Sequence, residues 1–171
     1  MPETIGKLQR SALLHYIDVT FGGQTPTWYL IGKDVEDLSM NLNPQTEIKK
    51  NILDETTVED NGWEPSFDVD TYYANPDDAA NGAATFYTKL KDIAMNRKTG
   101  AACRTKYLEV LVDNTTGTYD AWIEDCVVKP TSYGGAQGGV RIPYTVSPDG
   151  NREKGTATIT NKVPTYVAPT P

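Results

Sequence analysis

Histidine occurs once in the 171 residues, at position 15, and cysteine twice, at positions 103 and 126. So few soft donors exclude most zinc clusters. A Cys–His or Ser–His–Asp arrangement could draw only on His15, which falls inside a strand pattern and is read as structural. Cys103 and Cys126 are read as reduced thiols that serve as small apolar packing residues. No apolar run approaches the ~20 residues that a membrane span requires. Met1-Pro2-Glu3-Thr4 lacks the basic flank and apolar segment of a secretory signal, so synthesis in the cytosol is expected. Without such a signal the acceptor-like Asn114-Thr115-Thr116 has no meaning. Basic excess is missing as well: 16 Lys and Arg against 23 Asp and Glu leave a net charge of −7. Such a surface repels phosphate, and direct duplex binding is not expected. Gly134, Gly135, Gly138 and Gly139 lack phosphate-loop spacing and read as a flexible connection. Neither residues 34–37 nor the Asp68/Asp70 pair has EF-hand spacing, so solvated surface is favoured over calcium. No catalytic residue, metal or cofactor is expected, and the chain does not read as an enzyme.

What is present favours strands. Ten Tyr and three Trp accompany many Thr and Val, residues that suit a pleated surface. Residues 13–19 alternate, with Leu13, His15, Ile17 and Val19 on one side, and residues 28–32 form the next strand of a hairpin. Two long polar stretches, 38–53 and 57–73, flank Asp54-Glu55-Thr56, with a second turn signal at Asn61-Gly62. These stretches hold too few apolar residues for core strands and need water or another subunit on at least one face. In 67–73, Phe67, Val69 and Thr71 alternate with Asp68 and Asp70. A helix over about 76–98 is signalled by Asn75 as N-cap, Pro76, and Asp77 and Asp78 in the first turn. Phe86, Leu90, Ile93 and Arg97 form its stripe, Arg97 and Lys98 its last turn, and Gly100 its close. Gly82 moves the regular part towards Ala83. Strands return near 108–112, with Glu109 opposite Leu108 and Val110, and then at 119–128, 140–146 and 155–160. A Pro-rich extended tail occupies 163–171. The expected fold is therefore mainly β: seven or eight strands in a two-sheet β-sandwich or partly open barrel with one flanking α-helix, a single domain over 1–162. Long, unprotected strand edges point to pairing with other subunits.

Several stretches carry a resemblance. Gly6-Lys7-Leu8-Gln9-Arg10-Ser11-Ala12-Leu13-Leu14-His15-Tyr16-Ile17-Asp18 precedes Trp28-Tyr29-Leu30-Ile31-Gly32-Lys33-Asp34. Leu42-Asn43-Pro44-Gln45-Thr46-Glu47-Ile48-Lys49-Lys50-Asn51-Ile52-Leu53-Asp54-Glu55 and Gly62-Trp63-Glu64-Pro65-Ser66-Phe67-Asp68-Val69-Asp70-Thr71-Tyr72-Tyr73-Ala74 follow. With Val127-Val128-Lys129-Pro130-Thr131-Ser132-Tyr133-Gly134-Gly135 and Gly150-Asn151-Arg152-Glu153-Lys154-Gly155, these resemble the major tail tube proteins of long-tailed, non-contractile phages. The likeness spans most of 6–160 and lies in order and spacing rather than in one motif. Asn81-Gly82-Ala83-Ala84 and the tail beyond Lys162 depart from it, and nothing is carried over to them.

The resemblance implies a virion structural protein, made in the host cytoplasm, whose hexameric rings stack into a hollow tail tube. Tape measure protein would fill the channel, DNA would pass through on infection without specific binding, and tail terminator and tail-tip initiator proteins would be further partners. Segment 38–62 would be the inter-ring loop, with Gln45, Glu47, Lys49, Lys50, Asn51, Asp54 and Glu55 at the next ring. A negative channel wall would repel DNA over ~10 Å, and Asp68 and Asp70, with Glu47 and Glu59 as weaker candidates, are expected to line it. The alternatives are another tube-like structural protein, such as a contractile-system inner tube or a tail terminator, and a small-ligand barrel or enzyme. A deep pocket with convergent polar groups would mark the last.

Overall fold

A computed structural model describes residues 6–32, 34–73 and 83–171. Among them the strands are β1 Leu13–Asp18, β2 Trp28–Leu30, β3 Pro44–Lys50, β4 Thr56–Trp63 and β5 Phe67–Val69, then, after helix α1 Ala83–Met95, β6 Arg104–Leu111, β7 Tyr119–Pro130, β8 Tyr144–Pro148, β9 Glu153–Thr160 and β10 Val163–Val167. The chain is mainly β with one α-helix, as expected. The described residues hold ten strands because the polar stretch 57–73 divides into β4 and β5, and because the tail adds β10. Pro164 is tolerated there because β10 lies at a sheet edge, where a missing donor costs no ladder bond.

One antiparallel sheet runs β10-β9-β7-β6-β1-β2, and β8 and β5 branch from it. The branch begins on β7. Its residues Tyr119 to Ile123 pair with β9, whereas Cys126 to Pro130 pair with β8. Two backbone groups of Asp125 fall in the gap between them. Asp149 N–H donates to the Asp125 carbonyl at 2.8 Å, and Asp125 N–H donates to Asn151 Oδ1 at 2.8 Å. The tight turn after β8 thus satisfies the backbone that the fork would leave unpaired.

Both faces of the sheet are buried, each against a different layer. Ile17, Val19, Tyr107, Cys126, Val128, Tyr144, Val146, Phe67 and Val69 share a core with Phe86, Tyr87 and Leu90 of α1. The Tyr29 and Phe86 rings stack at 4.9 Å, and Tyr144 meets Phe86 edge-on at 5.4 Å. Tyr16, Leu108, Val110, Ala121 and Ala157 point the other way into a second core, which forms where the sheet curls and β10 returns towards β2. The two edges are not joined; a cleft of about 640 Å³ separates residues 25–28 from 163–166. The shape is a half-barrel. Cys103 and Cys126 are free and buried, in their expected packing role.

Helix α1 ends earlier than the sequence suggests. Arg97 takes a left-handed φ of 49°, and Lys98 N–H reaches back to Ile93 O at 3.1 Å. That is a Schellman closure with Arg97, not Gly100, as the left-handed residue. The expected cap at Asn75, Pro76, Asp77 and Asp78, with Gly82, lies outside the described residues. Asn61-Gly62 is not a turn either. Gly62, at φ 93°, sits in β4, where the register slips by one residue between Pro44 and Thr46. It forms a bulge, and the chain breaks at 64–66 instead.

The hydroxyls of two buried tyrosines have opposite surroundings. Tyr16 Oη is fully buried and has no hydrogen-bond partner, whereas Tyr107 Oη is bonded to His15 and to Glu109. Urea unfolding should therefore show Tyr16→Phe neutral or stabilising by up to ~1 kcal/mol, and Tyr107→Phe destabilising by about 1–3 kcal/mol. The reverse order would contradict this packing.

Candidate functional site

Strands β3 and β4 form a two-stranded sheet of their own, apart from the main sheet. Nearly every residue in it is exposed on both faces. One face pairs Ile48 with Val58, at 69 % and 62 % exposure. The other pairs Glu47 with Glu59, the two weaker channel candidates. Lys49 lies between them, 2.6 Å from Glu59 and 3.8 Å from Glu47. These pairs are half-exposed and contribute little stability.

The tip of this hairpin is built by Asn51. Its Oδ1 accepts from Leu53 N–H at 2.9 Å and Glu55 N–H at 3.1 Å, and its Nδ2 donates to Glu55 Oε2 at 2.5 Å. Asp54 completes the turn with φ 60°. Ile52 is wholly exposed and Leu53 nearly so, and Leu42 and Trp63 are exposed at the base. A lone two-stranded ribbon is marginal in water. One that also displays its large apolar side chains lacks a covering surface.

At the hairpin base a cleft of about 610 Å³ opens between Met40, Leu42, Trp63 and Pro65 on one side and Glu109, Glu124 and Arg152 on the other. The polar side was not foreseen. Glu109 reads as facing away from the core because Leu108 and Val110 flank it, but the opposite face of β6 is buried too. His15, Tyr107, Glu109 and Glu124 come together there from β1, β6 and β7. Arg152 donates to Glu124 Oε1 at 2.6 Å and Glu109 Oε1 at 3.3 Å. Tyr107 donates to Glu109 Oε2 at 2.6 Å. Glu124, with 3 % of its side chain exposed, is a buried carboxylate that depends on its partner. Both oxygens of Glu109 are occupied, so the group is suited to holding a charge rather than abstracting a proton. Nothing in the local sequence signals this cluster, because its members lie far apart along the chain.

Arg10 donates to His15 Nε2 at 3.0 Å. That nitrogen must then carry no proton, and the other ring nitrogen bonds Tyr107. His15 is neutral, and its 3.8 Å approach to Glu109 is not an ion pair. Burial, opposed by Glu109 and reinforced by Arg10, lowers its pKa from 6.5 to about 4.

On β5, Phe67 and Val69 are buried and Asp68 and Asp70 exposed, the alternation expected; Thr71 is buried too. Asp68 accepts from Thr145 Oγ1 at 2.5 Å, and Arg141 clasps Asp70 at 2.5 and 3.2 Å. The local field of Asp70 is therefore largely compensated. The uncompensated charge lies elsewhere. Residues 34–64 hold nine acids and two bases, while the rest of the chain holds fourteen of each. The whole excess of −7 belongs to the hairpin and its approach.

No family model matches this chain, nor does any curated relative. Among solved structures it is similar to the anti-feeding prophage cap, the tube terminating cap seen by cryo-EM. The TM-score is 0.49 at 10 % identity, over 92 % of this chain and 99 % of that chain.

As pH falls from 6.5 towards 4, the unfolded chain protonates at position 15 before the folded one. Folding stability should therefore decline across that window, by up to ~3 kcal/mol from this group. Urea titrations at several pH values should show that component absent in His15→Gln. Parallel pH profiles for the two proteins would count against a neutral, buried His15.

Proposed function

We propose that this protein is a structural subunit that polymerises into a tail tube, as stacked hexameric rings around a channel for tape measure protein and DNA. The observation that carries the reading is the β3–β4 ribbon. Among the described residues both its faces and both its edges are free, and it carries Leu42, Ile48, Ile52, Leu53, Val58 and Trp63 exposed along it or at its base. A subunit that polymerises needs such a surface, whereas a monomer that never associates is harmed by it. The outer edges of β2, β5 and β10 provide further places where a neighbour can extend a sheet. The sequence resemblance points in the same direction.

In this reading Gln45, Glu47, Lys49, Lys50, Asn51, Asp54 and Glu55 reach the next ring. Asp68, Asp70, Glu47 and Glu59 face the channel, with residues 34–64 supplying most of its negative field. The whole of 1–162 acts as one tube domain, and the role is structural rather than catalytic. Contact areas should exceed the ~1,600 Å² of a standard interface.

Negative-stain microscopy of concentrated protein checks this directly. Tubes of uniform width are expected. Single closed rings that do not stack would favour a terminator instead, and strictly monomeric particles at every concentration would overturn the assembly reading. A map of the tubes with Asp68 and Asp70 on the outer wall would remove those two from the channel set.

A further inference from the structure

We infer that the hairpin tip of one copy, residues 50–53, seats in the cleft at the hairpin base of another copy, with Ile52 and Leu53 against Met40, Leu42, Trp63 and Pro65 and the Lys50 ammonium facing Glu109 and Glu124. This deepens the assembly reading and rests on it: it names the receiving surface and the chemistry of the contact.

Complementarity of two unlike surfaces argues for it. The tip presents two exposed aliphatic side chains between Lys50 on one side and Asp54 and Glu55 on the other, so that only the Lys50 flank can face the carboxylates of the cleft. The cleft presents an apolar wall facing the Glu109 and Glu124 carboxylates, which share the Arg152 guanidinium; Glu124 is almost wholly buried, so Glu109 is the one open to an incoming cation. Glu109 and Glu124 are held in place by Tyr107 and Arg152, so the cleft has little freedom to lose on docking, and the hydrogen bonds of Asn51 shape the local turn of the tip. The tip cannot fill the cleft at its own base. Strand β3 is seven residues long and carries the tip roughly 23 Å from the base. A tip that occupies the cleft therefore comes from a second copy. Because tip and cleft are different patches, the contact is head-to-tail: it either closes into a ring, which uses every tip and cleft, or continues as a stack with one tip and one cleft free to propagate.

Cysteine pairs test the contact in the full-length chain, since Cys103 and Cys126 are buried. Leu53→Cys protein is mixed with Leu42→Cys protein under conditions that give assembly and is then mildly oxidised. The control mixes Leu53→Cys with Val163→Cys, whose position is exposed on β10. Cross-linked dimer from the first mixture should exceed the control roughly tenfold. In parallel, Ile52→Ala with Leu53→Ala should weaken association about a hundredfold and Lys50→Glu about tenfold, as judged by the concentration at which assembly begins. Assembly with equal cross-linking in the two mixtures, or with unchanged onset in both variants, overturns the tip-in-cleft contact and leaves the assembly reading standing. Protein that remains monomeric throughout overturns both.

Discussion

The need to satisfy backbone hydrogen bonds where β7 changes partner governs this architecture. A twelve-residue strand is too long to serve one small sheet, so it serves β9 with its first half and β8 with its second. The break would leave the peptide groups of half-buried Asp125 without a strand partner, a cost of up to ~1–3 kcal/mol for each group shielded from water. The turn at 149–151 removes that cost. The same turn delivers Arg152 to Glu124 and Glu109. One local solution therefore divides the sheet, allows its halves to curl towards different cores, and charges one wall of the cleft.

The body of the protein is well packed and the hairpin is not, and the contrast separates two jobs. Tyr16, Ile17, Tyr107, Leu108 and Val110 are fully buried from both sides of the same sheet, which fixes the strands rigidly. The β3–β4 ribbon has no such support. Its order relies on cross-strand bonds and on the side chain of Asn51, and its apolar groups face water. A rigid frame that carries a thinly supported arm suits a subunit whose last folding step is completed by its neighbour.

The sequence made the positions of most strands, the first hairpin, the alternation of β5 and the long polar arm legible, because each rests on local periodicity or turn chemistry. It did not reveal what depends on two-sided burial. Glu109 looked outward because its flanking residues, Leu108 and Val110, define one face so clearly, yet Tyr107 shows that the other face is interior as well. Asn61-Gly62 has the composition of a turn, and only the strand register shows it to be a bulge. Helix α1 closed at Arg97, a residue whose left-handed conformation no composition rule favours. The Arg10–His15–Tyr107–Glu109–Arg152–Glu124 chain of contacts joins positions up to 142 residues apart and has no local sequence signature.

The uneven placement of charge has a colloidal consequence. A body with equal numbers of acids and bases has no long-range repulsion to keep copies apart, and proteins near zero net charge tend to precipitate. Residues 34–64, the arm together with the segment that leads to it, hold the entire excess and act as a charged bristle on an otherwise neutral particle, its field screened beyond about a Debye length. Docking it against a neighbour would withdraw the very element that keeps free copies dispersed, and in a stack only the arm still free at one end would retain that role.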